Sequence, residues 1–117
     1  MKNNNLIIVG LGSIGSNLAE YLIKKNYNVK VWDKDKARLK KFSKINKIRI
    51  EKKFSKNFIK NTIVILTINA GKNVDNFFNK NLIPLKKSKY LVDLGNNHPD
   101  DTLRRYNFLK KQKIRYI

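Results

Sequence analysis

Gly10, Gly12 and Gly15 stand in the spacing G-x-G-x-x-G, with Leu11, Ser13 and Ile14 between them, and an acid, Asp33, follows eighteen residues after the third. The chemistry that such a spacing supports is the holding of a diphosphate. The first glycine permits a tight turn, the second lets bare backbone approach the anion, and the third lets a helix press against the strand before it. Amides of residues 12 to 15 then open a helix, at the end where negative charge is favoured. A carboxylate at Asp33 accepts hydrogen bonds from an adenosine ribose and meets a 2′-phosphate with like charge. These residues point to a nicotinamide dinucleotide, NAD in preference to NADP, with Lys34 and Lys36 partly offsetting the acid. The plainer reading is that the glycines serve packing alone and that Asp33 caps the next helix.

The elements around the turn supply the context that it needs. Leu6 to Val9 is an unbroken apolar run ending in Gly10, which suits a strand buried on both faces. Ile14, Leu18 and Leu22 then recur at helical spacing, widened by Ala19 and Ile23, predicting a helix over residues 13–25. Val29 to Trp32 reads as a second strand closed by Asp33, and residues 35–44 as a charged helix with Ala37, Leu39 and Phe42 inward. Ile48 and Ile50 alternate with Arg49 as a short third strand, and a brief helical piece over 52–60 buries Phe54, Phe58 and Ile59. Residues 62–68 are β-branched almost throughout, a strong strand signal. Val74, Phe77, Phe78, Leu82 and Leu85 keep helical spacing, with a break expected near residue 82 ahead of Pro84. Tyr90 to Asp93 is the next strand. The helix that follows starts near Pro99, carries Asp100 and Asp101 in its first turn, and sets Asp100/Arg104 and Asp101/Arg105 at i,i+4. Residues 114–117 close a sixth strand. Strands alternating with helices give an α/β architecture, a Rossmann-type doubly wound parallel sheet of about six strands in a single domain.

Composition narrows the alternatives. No cysteine is present, which removes disulfides, thiolate nucleophiles and Cys-type zinc sites. The one histidine, His98, builds no metal cluster alone and reads as a helix-start or surface residue. No apolar stretch approaches a membrane span or an export signal, so a cytoplasmic protein is expected. The formal charge of +19 raises nucleic acid as a partner. The lysines, however, are spread along the whole chain beside many asparagines and isoleucines, all with AT-rich codons, and the aromatics fall at core-like positions instead of forming a stacking row.

On residues 10–22 (GLGSIGSNLAEYL), 69–75 (NAGKNVD) and above all 92–114 (VDLGNNHPDDTLRRYNFLKKQKI), the sequence resembles the N-terminal cofactor domain of 6-phosphogluconate dehydrogenase over nearly its whole length. The resemblance implies an oxidative decarboxylation in the pentose phosphate pathway, an oxidoreductase step in which hydride passes from the sugar acid to the nicotinamide. It implies cofactor contacts at Gly10 to Gly15, at Asp33, Lys34 and Asp35 beside the ribose, and at Ile68, Asn69 and Ala70 after the fourth strand. Asn96 would touch both cofactor and substrate. The sequence departs from the family in three places. Asp33-Lys34-Asp35 replaces the Asn-Arg-Thr of NADP-dependent members, Asn69 replaces a lysine, and Leu94 stands where a second glycine is usual. In the family a Ser-Gly-Gly substrate loop, the catalytic lysine and glutamate and a helical dimerisation domain lie further on. The expectation is therefore a cofactor domain over residues 1–117 without a C-terminal catalytic domain, with no catalytic residue of its own and inactive alone. Competing roles are the cofactor half of a split enzyme, using 6-phosphogluconate once a C-terminal half is supplied, and a basic module for nucleic acid or another acidic partner.

Overall fold

The computed structural model describes residues 5–68, 72–95 and 99–117. Along the chain run β1 (Asn5–Val9), α1 (Ser13–Lys24), β2 (Asn28–Trp32), α2 (Lys36–Asn46), α3 (Lys56–Ile59), β3 (Thr62–Leu66), α4 (Lys72–Leu85), β4 (Tyr90–Asp93) and α5 (Pro99–Lys111). The strands form one parallel sheet in the order β2-β1-β3-β4. The chain thus runs outward from β1 to β2, then crosses to the other side of β1, so the connections leaving the paired strands β1 and β3 diverge and open a crevice at their C-terminal ends.

Side-chain alternation divides the core between the two faces of the sheet. Ile7, Val9, Val64, Leu66 and Leu91 pack on one face with Phe58 and Ile59 of α3, Phe77, Phe78 and Leu85 of α4, and Leu109 of α5. Ile8 and Val31 pack on the other with Ala19 of α1 and Leu39 and Phe42 of α2. Helices on both faces make the sheet doubly wound, as the alternation of strands and helices predicts. Ala37, expected inward on α2, is exposed.

The sheet has four strands among the described residues, where about six were expected. Ile48 and Ile50 do pack against the α1/α2 side of the core, but residue 48 has no backbone to spare for a ladder. Lys47 takes a left-handed conformation to end α2, the Ile48 amide donates to the Ser43 carbonyl at 3.2 Å, and the Ser43 hydroxyl donates to the Ile48 carbonyl at 2.6 Å. The helix cap has claimed both groups. At the other edge, residues 114–117 make one parallel rung on β4, at Leu91 and Tyr116, through Leu91 N to Arg115 O (2.7 Å) and Ile117 N to Leu91 O (2.8 Å). Asp93 N reaches Ile117 O only at 3.4 Å, so the pairing fades after that rung.

The break expected near residue 82 falls at Asn81, whose φ of −122° and ψ of 21° interrupt α4 one turn before Pro84. The Asn81 side-chain amide donates to the Phe77 carbonyl at 2.8 Å, satisfying an acceptor that the kink would otherwise strand. Arg105 behaves differently from expectation. In place of a surface pair within α5, it is buried and turned onto Asp75 of α4, with Nε 2.8 Å from Oδ1.

Candidate functional site

The crevice at the C-terminal ends of β1, β2 and β3 is built around the glycine turn. Gly10 leaves β1 with φ 102°, a conformation that L side chains rarely adopt, and a Cβ there would lie 2.8 Å from the Ile68 side chain and 3.0 Å from the Thr67 carbonyl. The Thr67 hydroxyl donates to the Gly10 carbonyl at 2.7 Å and so locks the turn to the end of β3. A Cβ on Gly15 would overlap that same carbonyl oxygen and the Thr67 hydroxyl, so α1 sits against the turn only because residue 15 has no side chain.

Gly12 is the opposite case. It is the N-cap residue of α1, makes no side-chain cap, and a Cβ built on it would find nothing within 4 Å. Neither the packing of the turn nor its backbone angles (φ −72°) require glycine there. The open space in front of an uncapped helix N-terminus is the cradle that an approaching anion needs, and the residues present fit a diphosphate.

Asp33 is buried at the end of β2. Its Oδ2 accepts from the Leu11 amide at 2.8 Å and its Oδ1 from the Asp35 amide at 2.8 Å, with Arg38 Nη1 3.5 Å from Oδ2. The carboxylate therefore ties β2 to the glycine turn. Asp35, not Asp33, caps the next helix, accepting from the amides of Ala37 and Arg38 at 3.0 and 3.2 Å.

Between these groups lies a cleft of about 710 Å³, within the usual range for small-ligand sites. Of the residues singled out in the sequence, Gly10, Gly12, Asp33, Lys34 and Ile68 line it. Leu11 is buried beneath the turn, Ser13 and Ile14 are exposed in the first turn of α1, Gly15 is a packing contact, and Asp35 lies outside the lining. Asn69, Ala70 and Asn96 fall outside the described residues, as does His98. Leu94 is half exposed and is not part of the cleft wall. Among the described residues no group of His, Cys, Asp and Glu side chains could hold a metal ion.

The sequence reading missed the outer wall. Trp32 lies edge-on to Phe54 at 5.4 Å between centroids, and Phe54 to Phe77 at 5.2 Å, so three aromatics form its apolar floor. The Trp32 indole donates to the Lys52 carbonyl at 3.0 Å, and Lys36 Nζ reaches the same oxygen at 3.4 Å. Those two donors fasten residues 52–54 across the end of β2 and bring Lys52 and Lys53 to the rim. Only the parity of β2, which sets Trp32 on the α4 side of the sheet, hints at this in the sequence.

Residues 5–117 match the family described as the NAD binding domain of 6-phosphogluconate dehydrogenase. The chain belongs to that family. Among full-length relatives, the decarboxylating 6-phosphogluconate dehydrogenase of Buchnera aphidicola is 31% identical over all of this chain and 26% of its own length. The NAD(+)-dependent 6-phosphogluconate dehydrogenase of Bacillus subtilis is 30% identical over 97% of this chain and 26% of its own length. The chain thus spans about a quarter of the curated 6-phosphogluconate dehydrogenases that it matches. A solved 6-phosphogluconate dehydrogenase from Plasmodium falciparum, described with NADP+ and with 6-phosphogluconate, superposes with a TM-score of 0.81 at 25% identity, over 96% of this chain and 26% of that one. An imine reductase from Myxococcus stipitatus in complex with NAD+ shares the fold at a TM-score of 0.80 and 20% identity, over 99% of this chain and 40% of that one. An NAD(P)-binding Rossmann-like domain is the common element, and a nucleic-acid module is not favoured.

Proposed function

We propose that the chain binds a nicotinamide dinucleotide across the crevice, with the diphosphate on the α1 N-terminus and the adenosine beside Trp32, and that it serves as the cofactor domain of a 6-phosphogluconate dehydrogenase. The observation that carries this is Gly12. It is a glycine that neither packing nor backbone geometry demands, facing open space at a helix N-terminus. When bound, the dinucleotide supplies a hydride acceptor for the sugar acid. The chain's own part is to bind and orient it. The described lining offers one carboxylate, Asp33, hydrogen-bonded to two main-chain amides, and the chain's part in this reading is cofactor binding and not turnover.

The preference for NAD rests on Asp33, because a 2′-phosphate beside it meets like charge. Each of its oxygens accepts a main-chain amide, which fixes the carboxylate in place without removing its charge, while Lys34, Lys36 and Arg38 line the same cleft and offset it. The relatives include both an NAD(+)-dependent enzyme and one described with NADP+.

Trp32 is the only tryptophan and lines the cleft, so its emission reports occupancy without a label. Titration with NAD+ and with NADP+ is expected to quench it saturably, and at least one of them to raise the melting temperature. Addition of 6-phosphogluconate is expected to produce no reduced coenzyme. If neither coenzyme quenches Trp32 nor protects against heat, the binding reading is wrong.

A further inference from the structure

We infer that the outer face of α5 is a self-association surface, on which two copies of this chain pair helix against helix in antiparallel sense, apart from the coenzyme cleft. Of the residues of α5 only Arg105 and Leu109 are buried, so the helix rests on the sheet by a narrow strip and leaves most of its circumference uncovered. Pro99, Leu103, Tyr106 and Lys110 follow one another at spacings of four, three and four. At 3.6 residues per turn they gather within roughly 60° of arc, about 100–160° round the helix from Arg105. The same spacing forms the seam by which paired helices interlock. Leu103 is 61% exposed and Tyr106 41%. Lys110 Nζ stands 5.9 Å from the centre of the Tyr106 ring, and its methylenes continue the apolar strip.

The occupant is a second copy because the strip complements itself. A twofold axis passing between residues 104 and 105 sets Leu103 of one copy beside Tyr106 of the other, and Pro99 beside Lys110, twice over. Charge obeys the same symmetry. Asp100 and Asp101 stand in the first turn of α5, Lys110 and Lys111 in the last. Antiparallel pairing brings the acidic end of each helix to the basic end of the other and opposes the two helix dipoles, whereas parallel pairing sets like charges together at both ends. Asp101 meets Arg104 of its own helix at 3.4 Å and still keeps an exposed carboxylate. The charge of +19 on each copy works against association over a longer range than the helix ends favour it, so screening by salt should tighten the pair. A single helix seam lies at the small end of specific interfaces, and the dimer it makes is correspondingly weak.

Sedimentation velocity of the full chain, from about 10 µM to 1 mM and at roughly 0.05 and 0.5 M sodium chloride, tests the surface directly. The mass is expected to rise with concentration from 13.8 kDa towards twice that value, and to do so at lower concentration in the higher salt. Leu103→Ser should weaken association by about tenfold or more. Ile45→Ser, which removes a side chain of similar exposure from α2 on the opposite face of the sheet, should change it less than about twofold. Both side chains are exposed, so neither variant threatens the fold. Orientation is read by cross-linking, since the chain has no cysteine of its own. Leu103→Cys and Tyr106→Cys chains, one of them carrying a mass tag, are mixed and oxidised, and the disulfide is expected chiefly between unlike chains. A monomer under every condition overturns the inference and leaves the face to a different polypeptide. A dimer that Leu103→Ser does not weaken, or disulfides formed chiefly between like chains, overturns it as well, marking another surface or a parallel seam. Association that dissolves in the higher salt would also overturn it, marking copies bridged by a polyanion instead of an apolar strip.

Discussion

Two glycines three residues apart have opposite jobs. Gly15 is required by sterics, since any Cβ would invade the Gly10 carbonyl and the Thr67 hydroxyl. Gly12 is free of both packing and backbone demands, and its bareness matters only when something occupies the space before it. The two therefore separate folding from binding. Gly12→Ala is expected to cost about 1 kcal/mol or less, the loss of a modest N-cap, while abolishing Trp32 quenching by either coenzyme. Gly15→Ala should lose roughly 3 kcal/mol through overpacking, lowering the melting temperature by about 10 °C or more whether or not ligand is present. Thermal melts followed by circular dichroism, run beside the quenching titrations, check both. Equal melting temperatures in the two variants would contradict the packing role of Gly15. The spacing alone is enough to read Gly10 and Gly15, because each of these two answers a local steric demand. Asp33 was legible as a carboxylate at the end of β2, but not as one that ties the strand to the glycine turn, because its partners, the amides of Leu11 and Asp35, depend on how the turn closes in space.

Between elements, the contact that joins α4 to α5 is ionic. Arg105, with its side chain 2% exposed, meets Asp75 through Nε at 2.8 Å, and the exposed Arg104 reaches the other carboxylate oxygen at 3.2 Å. The hydrogen bond from Arg105 chiefly, with Arg104 and their charges adding to it, holds the Asp75 carboxyl below its ordinary value of 3.8 against the opposing effect of burial. A carboxyl depressed in the folded state stabilises the fold fully above its unfolded pKa and loses that contribution as pH falls through the folded one. The clamp is therefore intact at neutral pH and fails on acidification below about 4. Asp75→Asn is expected to melt lower than the parent at pH 7, and the gap should close towards pH 3. A gap that persists unchanged at pH 3 would show that the charge on Asp75 is not what stabilises the pair. Charge spacing in the sequence suggested pairs inside α5; Arg104 does reach Asp101 there at 3.4 Å, and the fold adds to it a partner thirty residues from Arg105 because α4 and α5 cover one face of the sheet together. Periodicity served well where one face is buried, as in β3 and α4, and less well in α1, where Ala19 is buried but Ile14, expected on the same stripe, is exposed. It failed at residues 48–50, where alternation is genuine but the α2 cap uses the backbone that a strand would need. The kink in α4 was announced by Pro84 and displaced by one residue to Asn81.

At the scale of the whole molecule the dominant quantity is the formal charge of +19, from 27 cations against 8 acids. Such an excess repels itself in the compact state, and the repulsion is screened as the Debye length falls from about 10 Å at 0.1 M salt to about 3 Å at 1 M. The melting temperature is expected to rise by several degrees between roughly 0.02 and 0.5 M sodium chloride. NADP+ affinity should fall over the same range, because its charged contacts are weakened by the same screening. Opposite slopes in the two measurements distinguish the collective effect from the local one, and a flat melting temperature would mean that the surface lysines impose no net strain. The cations that line the cleft, Lys34, Lys36, Arg38, Lys52, Lys53 and Lys80, were hidden by this background: six around a ligand site are hard to see among lysines spread through the chain.

The alternation of β2 links assembly and ligand handling through a single phase. Val29 and Val31 face α1 and α2 while Trp32 faces α4, and Asp33 follows directly to close on Leu11. Loss or gain of one residue inside this strand would invert its two sides at once, sending the indole into the wrong layer and the acid away from the loop it fastens. The five residues of β2 consequently behave as a fixed count instead of a spacer.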